Sequence, residues 1–541
     1  ESLLKKTGAS HLLALSGLHA GIIIMALNLI FSRLFKSRKL SFSLLAVISL
    51  LYVIIVGAPI SIIRASLLTL LYLFSDQIYR EADFFNIIAL TLLVNIFINP
   101  YALFTVSLQL SYSIVISIYL LSDFLKNNLS GILSVSAAVQ LASIPLTAYY
   151  FGEYAYIGLI TNIWLIPAIA VLLPISFLTV LTAFLIPYLA LFIAAALEIC
   201  YQLLFRALEI MSYIQGEMLV IPKPSLLKMF LYYIFLFSLP YLFKNRRISL
   251  SAKRWIFNNK KLSRYFLIGF ITVFALFFIN FSSHYLEINF LAVGQGDGIY
   301  IDFPDGKNML IDTGPGGEEG RQAEYSIISF LNSRGISEID YLLLSHFDSD
   351  HSGSLYHLLA RRKIKSIIIS LHDQDNSFQQ KLIKKTKQDN IQLYFAGEGS
   401  QIDFKNCSVE FLHPPPDRVY RDENSNSLVF ILKYGKYSFL FTGDITKEIE
   451  QKIVEKHSLQ NITVLKAAHH GSSTSTGKTL IKQTNPNLAV ISVGRNNFGH
   501  PDESVLERLK EYNVQYLRTD IAGAVTIKTD GINISVEKFI K

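Results

Sequence analysis

Residues 341–353 read YLLLSHFDSDHSG, and the nature of the C-terminal half turns on them. Tyr341–Leu344 is an apolar run of strand character. It delivers His346, Asp348, Asp350 and His351 within six positions. A loop leaving a strand can aim alternate side chains at neighbouring cations, and imidazole with carboxylate suits Zn²⁺ or Mn²⁺. The pattern recurs downstream. His413 follows the strand Val409–Leu412, Asp444 ends YSFLFTGD, and His469 and His470 follow LKAA. One His-x-Asp is commonly a surface loop, whereas four such clusters at strand ends point to a metal centre.

Around these clusters, short alternating runs such as Leu286–Leu291, Gly298–Phe303 and Ser427–Tyr434 predict strands. Gln379–Lys387 and Ser504–Tyr512 predict helices. From about Ser283 to Lys541 the chain therefore reads as a soluble α/β domain without a membrane-length apolar run.

Residues 1–282 are different. The 541-residue chain is 51% hydrophobic and only 17% charged, and most of the apolar excess lies here. Expected membrane spans are Leu12–Phe31, Ser41–Val56, Ile60–Phe74, Phe84–Ile98, Leu103–Leu121 and Ile132–Tyr150, then Tyr156–Leu173, Ile175–Ala196, Leu226–Leu242 and Tyr265–Phe281. Glu198–Gly216 reads as an amphipathic interfacial segment. The composition excludes a disordered or collagen-like chain, and two cysteines, Cys200 and Cys407, provide no disulfide framework. Glu1 is neither an initiator methionine nor the start of a signal peptide, which suggests an N-terminally truncated chain.

The net charge is +8, and its distribution suggests an orientation. Eight basic residues between Lys244 and Arg264 place that segment in the cytoplasm. The following span then carries the soluble domain outside. Polar residues at membrane depth (His11, Ser16, His19, Arg64, Gln109, Ser111, Gln140 and Asn162) and interrupting prolines suggest a polar passage. Gln109 or Ser111 can equally serve an interhelical hydrogen bond.

Taken together, VGQGD (293–297), the Asp312-Thr313-Gly turn, LLLSHFDSDHSGS, FTGDI, AAHHGSSTS, ISVGRNNFGHP and RTDIAGAV resemble the metallo-β-lactamase-like domain of the ComEC family of DNA-uptake channels. HLLALSGLHAGII, the Arg64-Ala-Ser pattern, SLQLSY, QLASIPLTAYYFGEY and LITNIWLIP resemble that family's competence domain. Ala292 stands where the family commonly has Asp before Val-Gly-Gln-Gly-Asp.

The resemblance implies a polytopic α-helical channel domain (1–282) followed by an αββα metallo-β-lactamase-like nuclease domain (283–541). It implies two divalent ions, Mn²⁺ or Zn²⁺. His346, Asp348 and His413 would hold one; Asp350, His351 and His470 the other, with Asp444 bridging. His469 remains an alternative to His470, which is favoured because it precedes glycine. Asp350 and His500 would serve catalysis, although His500 could equally be a structural turn residue. Gly294, Gly296 and Asp297 would shape the loop beneath the site, with Asp312 and Thr313 supporting the ligand loop. His19, Arg64, Gln109, Ser111, Gln140 and Asn162 would line the channel. The implied function is uptake of single-stranded DNA across the bacterial inner membrane, with an extracytoplasmic nuclease degrading the other strand of incoming duplex. Further uptake machinery would act alongside it. The competing readings are a metallo-domain that only binds or gates, and a membrane-anchored envelope phosphodiesterase.

Overall fold

A computed structural model of the chain describes residues 2–9, 17–126, 129–244, 285–372 and 377–540. The chain divides into two compact units, Glu1–Ile279 and Asn280–Lys541.

The first unit is helical: α1 (Ser2–Lys6), α2 (Gly17–Leu34), α3 (Arg38–Ile55), α4 (Ile60–Gln77), α5 (Phe84–Ile98), α6 (Val106–Leu125), α7 (Gly131–Tyr150), α8 (Gly158–Leu185), α9 (Pro187–Gln215) and α10 (Leu226–Lys244). A short ribbon pairs β1 (Glu153–Tyr154) with β2 (Leu219–Val220). Ser37, Asp83 and Thr105 begin α3, α5 and α6, their side chains accepting hydrogen bonds from the backbone N–H three residues on. By length and composition, α3, α6, α7, α8 and α9 can each cross a membrane; α5 and the apolar parts of α2 and α10 are shorter. At 1.5 Å per residue, the 15 residues of α5 reach only about 22 Å of a ~30 Å hydrocarbon layer.

The expected spans Tyr156–Leu173 and Ile175–Ala196 are corrected. α8 runs through Pro167 and Pro174, and the chain breaks instead at Ile186, where φ is −140° and ψ 79°. Pro187 then opens α9 at a position where no helical N–H is required. The segment expected to be separate and interfacial is the second half of α9. The span Tyr265–Phe281, most of the basic segment before it, His11 and Ser16 lie outside the described residues.

The second unit has two sheets. One has eight strands in the order β17-β16-β3-β4-β5-β6-β7-β8. These are β3 (Leu286–Phe290), β4 (Ile299–Asp302), β5 (Asn308–Ile311), β6 (Glu338–Leu343), β7 (Lys363–Ser370), β8 (Gln392–Ala396), β16 (Val525–Thr529) and β17 (Ile534–Lys538). The other has seven strands, ordered β15-β14-β13-β12-β11-β10-β9. They are β9 (Gln401–Phe404), β10 (Cys407–His413), β11 (Val429–Tyr434), β12 (Tyr437–Phe441), β13 (Val464–Lys466), β14 (Leu488–Ile491) and β15 (Gln515–Arg518).

Alternation along each strand builds the layers. Ile299 and Ile301 of β4 meet Phe430 and Leu432 of β11 in the core between the sheets. Tyr300 points the other way and packs with Ala323, Ile327 and Leu331 of helix Gly317–Arg334. Val429 and Ile431 likewise face away, toward Ile449 and Ile453 of helix Lys447–Lys456. The result is the expected helix–sheet–sheet–helix sandwich.

At the centre, the Phe430 ring stacks on Phe441 at 4.7 Å and meets Phe411 at 5.6 Å. Phe430→Ala should therefore cost about 3–5 kcal/mol, since the sheets cannot close the cavity. Denaturant unfolding of the wild-type and variant chains, followed on the second unit, checks this value.

Candidate metal centre

The site forms where the loops after β5, β6, β12 and β13 meet. Asp312, just past β5, adopts a left-handed backbone (φ 58°) and turns its carboxylate onto the β6 loop. One carboxylate oxygen accepts from the Ser345 backbone N–H at 2.7 Å; the other accepts from Ser345 Oγ at 2.7 Å and lies 2.8 Å from His351 Nδ1. The Thr313 hydroxyl and N–H both donate to the His351 carbonyl. Beneath them, Gly296 has φ +142°, and a Cβ there would stand 2.1 Å from the Asp350 carbonyl oxygen. The Asp297 N–H donates to that same carbonyl, while Gly294 lies against Gly494 so closely that a Cβ on the latter would clash.

Asp350, His351, Asp444 and His470 each present one ligand atom to a common point, all within 4.8 Å of one another. His351 Nε2 is 3.3 Å from Asp444 Oδ2, His470 Nε2 is 3.4 Å from the same oxygen, and His470 Nε2 is 3.2 Å from Asp350 Oδ2. Donors about 2.0–2.2 Å from a tetrahedral cation stand roughly 3.3–3.6 Å apart, so these spacings fit one divalent ion. Outer contacts fix the ligating atoms. His351 Nδ1 is held by Asp312, and His470 Nδ1–H donates to the Ser492 carbonyl at 2.9 Å, leaving both Nε2 atoms facing inward. Among the described residues, buried His351 Nε2 has Asp444 Oδ2 at 3.3 Å but no well-formed hydrogen bond. Asp350, with 32% of its side chain exposed, gives the group its access to solvent.

His346 and Asp348 lie beside this group. The His346 ring is 4.1 Å from that of His351, and its buried Nε2 lacks a hydrogen bond and stands 3.6 Å from Asp348 Oδ2. His413 is not brought in: its Nε2 is 2.8 Å from the Ser425 carbonyl and its ring lies against Tyr420. Burial pushes its pKa down to about 4, so the neutral ring donates Nε2–H to that carbonyl. Of the adjacent histidines, His470 joins the group. His469 turns outward, its Nε2 3.9 Å from Asp444 and its ring 5.6 Å from that of His500.

Lys466 was not anticipated from sequence. It is buried beneath Asp444, with Nζ paired to Asp297 Oδ2, 3.0 Å from the Gly443 carbonyl and 3.4 Å from Asp444 Oδ1. Burial alone would raise the Asp444 pKa, but His351, His470 and Lys466 hold it well below the ordinary carboxylate range. The signal was a lysine inside the otherwise apolar strand Val464–Lys466. Asp297, Asp312 and His351 also cluster. Their charges are already answered by Lys466 and by the Asp312–His351 contact, so they read as support for the ligands.

The membrane-unit candidates separate into three kinds. Gln109 and Gln140 take part in hydrogen bonds between elements, accepting from the Tyr150 and Tyr154 hydroxyls. Arg64 is buried in α4, its Nε without a hydrogen bond among the described residues and its guanidinium 5.4 Å above the Tyr112 ring. Asn162 Oδ1 is also buried, without a hydrogen-bond partner among the described residues. His19 is half-buried in α2, and Ser111 is half-buried in α6.

Residues 1–246 match the family model described as competence protein, and residues 291–495 match that of the metallo-beta-lactamase superfamily. ComE operon protein 3 of Bacillus subtilis is 29% identical over 96% of this chain and 68% of its own length. Recombination protein 2 of Haemophilus influenzae is 33% identical, covering 47% of this chain and 30% of its own. Among solved structures, the metallo-beta-lactamase fold protein YhfI from Bacillus subtilis aligns over 45% of this chain and 100% of its own, at 14% identity and a TM-score of 0.32.

The Asp312 contact gives a direct test of the centre. Asp312→Asn retains every donor of the four-residue group but weakens the hold on His351 Nδ1. Calorimetric titration with Mn²⁺ or Zn²⁺ should show affinity falling about 10- to 100-fold. An unchanged affinity would remove Asp312 from the support of the site.

Proposed function

The chain belongs to the ComEC family of competence proteins, a competence domain followed by a metallo-β-lactamase superfamily domain, and from this premise we propose that it takes up DNA while cutting one strand. Residues 1–282 would pass single-stranded DNA across the bacterial inner membrane, in concert with other uptake components. Residues 283–541 would hydrolyse the strand left outside when duplex arrives. The convergence of Asp350, His351, Asp444 and His470 carries the nuclease reading.

Those four residues would hold a divalent ion, Mn²⁺ or Zn²⁺, and His346 with Asp348 would hold a second beside it. Bound divalent ions supply Lewis-acid charge to the phosphodiester and to an attacking water. The chain supplies the rest. Asp350, the most exposed of the four, orients that water at the mouth of the site. His500, next to His469 and with its Nδ1 lacking a hydrogen bond among the described residues, would meet a phosphate oxygen or pass a proton to the leaving oxygen. One observation favours the alternative of a binding or gating domain: the engagement of His413 with Ser425 leaves the second ion short of a donor.

In the membrane unit, Arg64 offers a buried cation without a carboxylate partner among the described residues. A guanidinium is expensive at that depth unless it meets a polyanion or a watery path. Asp350→Ala should abolish Mn²⁺-dependent hydrolysis of linear DNA, as should EDTA. Arg64→Ala should leave hydrolysis normal and cut uptake of labelled single-stranded DNA. Cleavage that survives both EDTA and Asp350→Ala would leave the domain a binding or gating module.

The basic run from Lys244 to Arg264 supports a cytoplasmic position for that segment, with residues 283–541 outside. A reporter active only in the cytoplasm, fused after Lys541, should be silent. Strong reporter signal would reverse the orientation.

A further inference from the structure

The loop from Gly494 to His500 follows β14 and is built into the rim of the metal centre. Its base is tied to the site at both ends. Gly494 N–H donates to the Gln295 side chain at 3.3 Å, and Asp502 N–H donates to the Gly471 carbonyl, next to His470, at 2.8 Å. Within the loop, Asn496 uses its whole side-chain amide. Its Nδ2 donates to the Gly494 and His500 carbonyls at 3.0 and 2.8 Å, and its Oδ1 accepts from the Phe498 and His500 N–H groups at 3.0 and 3.1 Å. The loop is therefore held in one shape before any ligand arrives.

That shape presents Phe498 to solvent. The side chain is 75% exposed, although a phenyl ring is ordinarily driven out of water by its apolar surface. Its ring lies 6.0 Å from His500, whose ring lies 5.6 Å from His469. The series leads from the exposed phenyl to the metal-ligand group. Arg495 and Asn497, both exposed, precede it on the same loop. A phosphate at the metal centre would thus bring the base of the same or next nucleotide toward an exposed aromatic face carried on a braced loop. Stacking of this kind tolerates any base, because each has a π-face, but it requires a base that is not already paired and stacked in a duplex.

We propose that Phe498 is a stacking platform for an unpaired nucleobase, so that the strand entering the metal centre is recognised single-stranded, at a frayed end or gap of incoming duplex. This rests on the reading of the second unit as a nuclease. Phe498 is a specificity-determining residue in this account, and Asn496 positions it.

The test uses the full chain in detergent micelles. Fluorescence anisotropy would compare wild type, Phe498→Ala and Phe498→Trp on a labelled single-stranded oligonucleotide and on an abasic oligonucleotide of equal length. Phe498→Ala should weaken binding of the base-bearing strand about 5- to 100-fold. Phe498→Trp should bind it like wild type, and the abasic strand should bind all three proteins equally. Equal affinity of wild type and Phe498→Ala for the base-bearing strand would overturn the proposal, as would an equal loss on the abasic strand, which would indicate a general structural defect. Cleavage with Mn²⁺ is measured separately on the wild-type chain. Absence of cleavage alongside the expected anisotropy pattern would defeat the nuclease reading and leave the platform in place.

Discussion

Asp444 sits in the interior of the second unit with one carboxylate oxygen facing His351 and His470 and the other facing the Lys466 ammonium. Such a carboxylate is costly to bury unless opposite charge and hydrogen-bond donors meet it on every side. The surrounding architecture supplies them. β12 ends at the turn that carries Asp444, the adjacent parallel strand β13 carries Lys466, and the next turn carries His470. His351 is delivered from the other sheet, held there by Asp312 at the end of β5. The two sheets therefore come together at one edge around a shared polar group. The apolar core between them provides the rigidity that keeps these side chains in register.

The same arrangement explains why the site depends on backbone close approach. Gly296 lets the loop after β3 lie directly under the Asp350 carbonyl, and Gly494 lets the loop after β14 rest on Gly294. Asp297, just after Gly296, and Gln295, between Gly294 and Gly296, then reach Lys466 and the Gly494 N–H. Ala292, where the related family commonly carries an acid, lies outside this set of contacts. The acid that pairs with Lys466 is Asp297.

Much of this was legible in the sequence, because strand alternation and acid or histidine at strand ends are local signals. Val429–Tyr434 and Ile299–Asp302 are short, almost wholly apolar runs rich in β-branched and aromatic residues, as strands buried on both faces are. The choice between His469 and His470 was not local. Both have positive φ, and only the carbonyl of Ser492, on a neighbouring strand's exit, turns His470 inward. His413 is diverted by Ser425, a contact with no sequence signature. Lys466 looks like a stray charge until Asp297 and Asp444 are seen around it. In the membrane unit, uniform apolarity hides helix borders. Pro167, Pro174 and Pro187 look alike in sequence, yet only Pro187 falls at a helix start.

Asp350, His351, Asp444 and His470 form a group that could hold a divalent ion at the heart of the second unit. The most direct measurement is anomalous X-ray scattering at the manganese edge from crystals of the chain grown with Mn²⁺. A strong anomalous peak is expected about 2.0–2.2 Å from Asp444 Oδ2, His351 Nε2, His470 Nε2 and Asp350 Oδ2, with Lys466 still paired to Asp297. An empty centre at saturating Mn²⁺, or a peak reached only after Lys466 has moved out of the site, would contradict it.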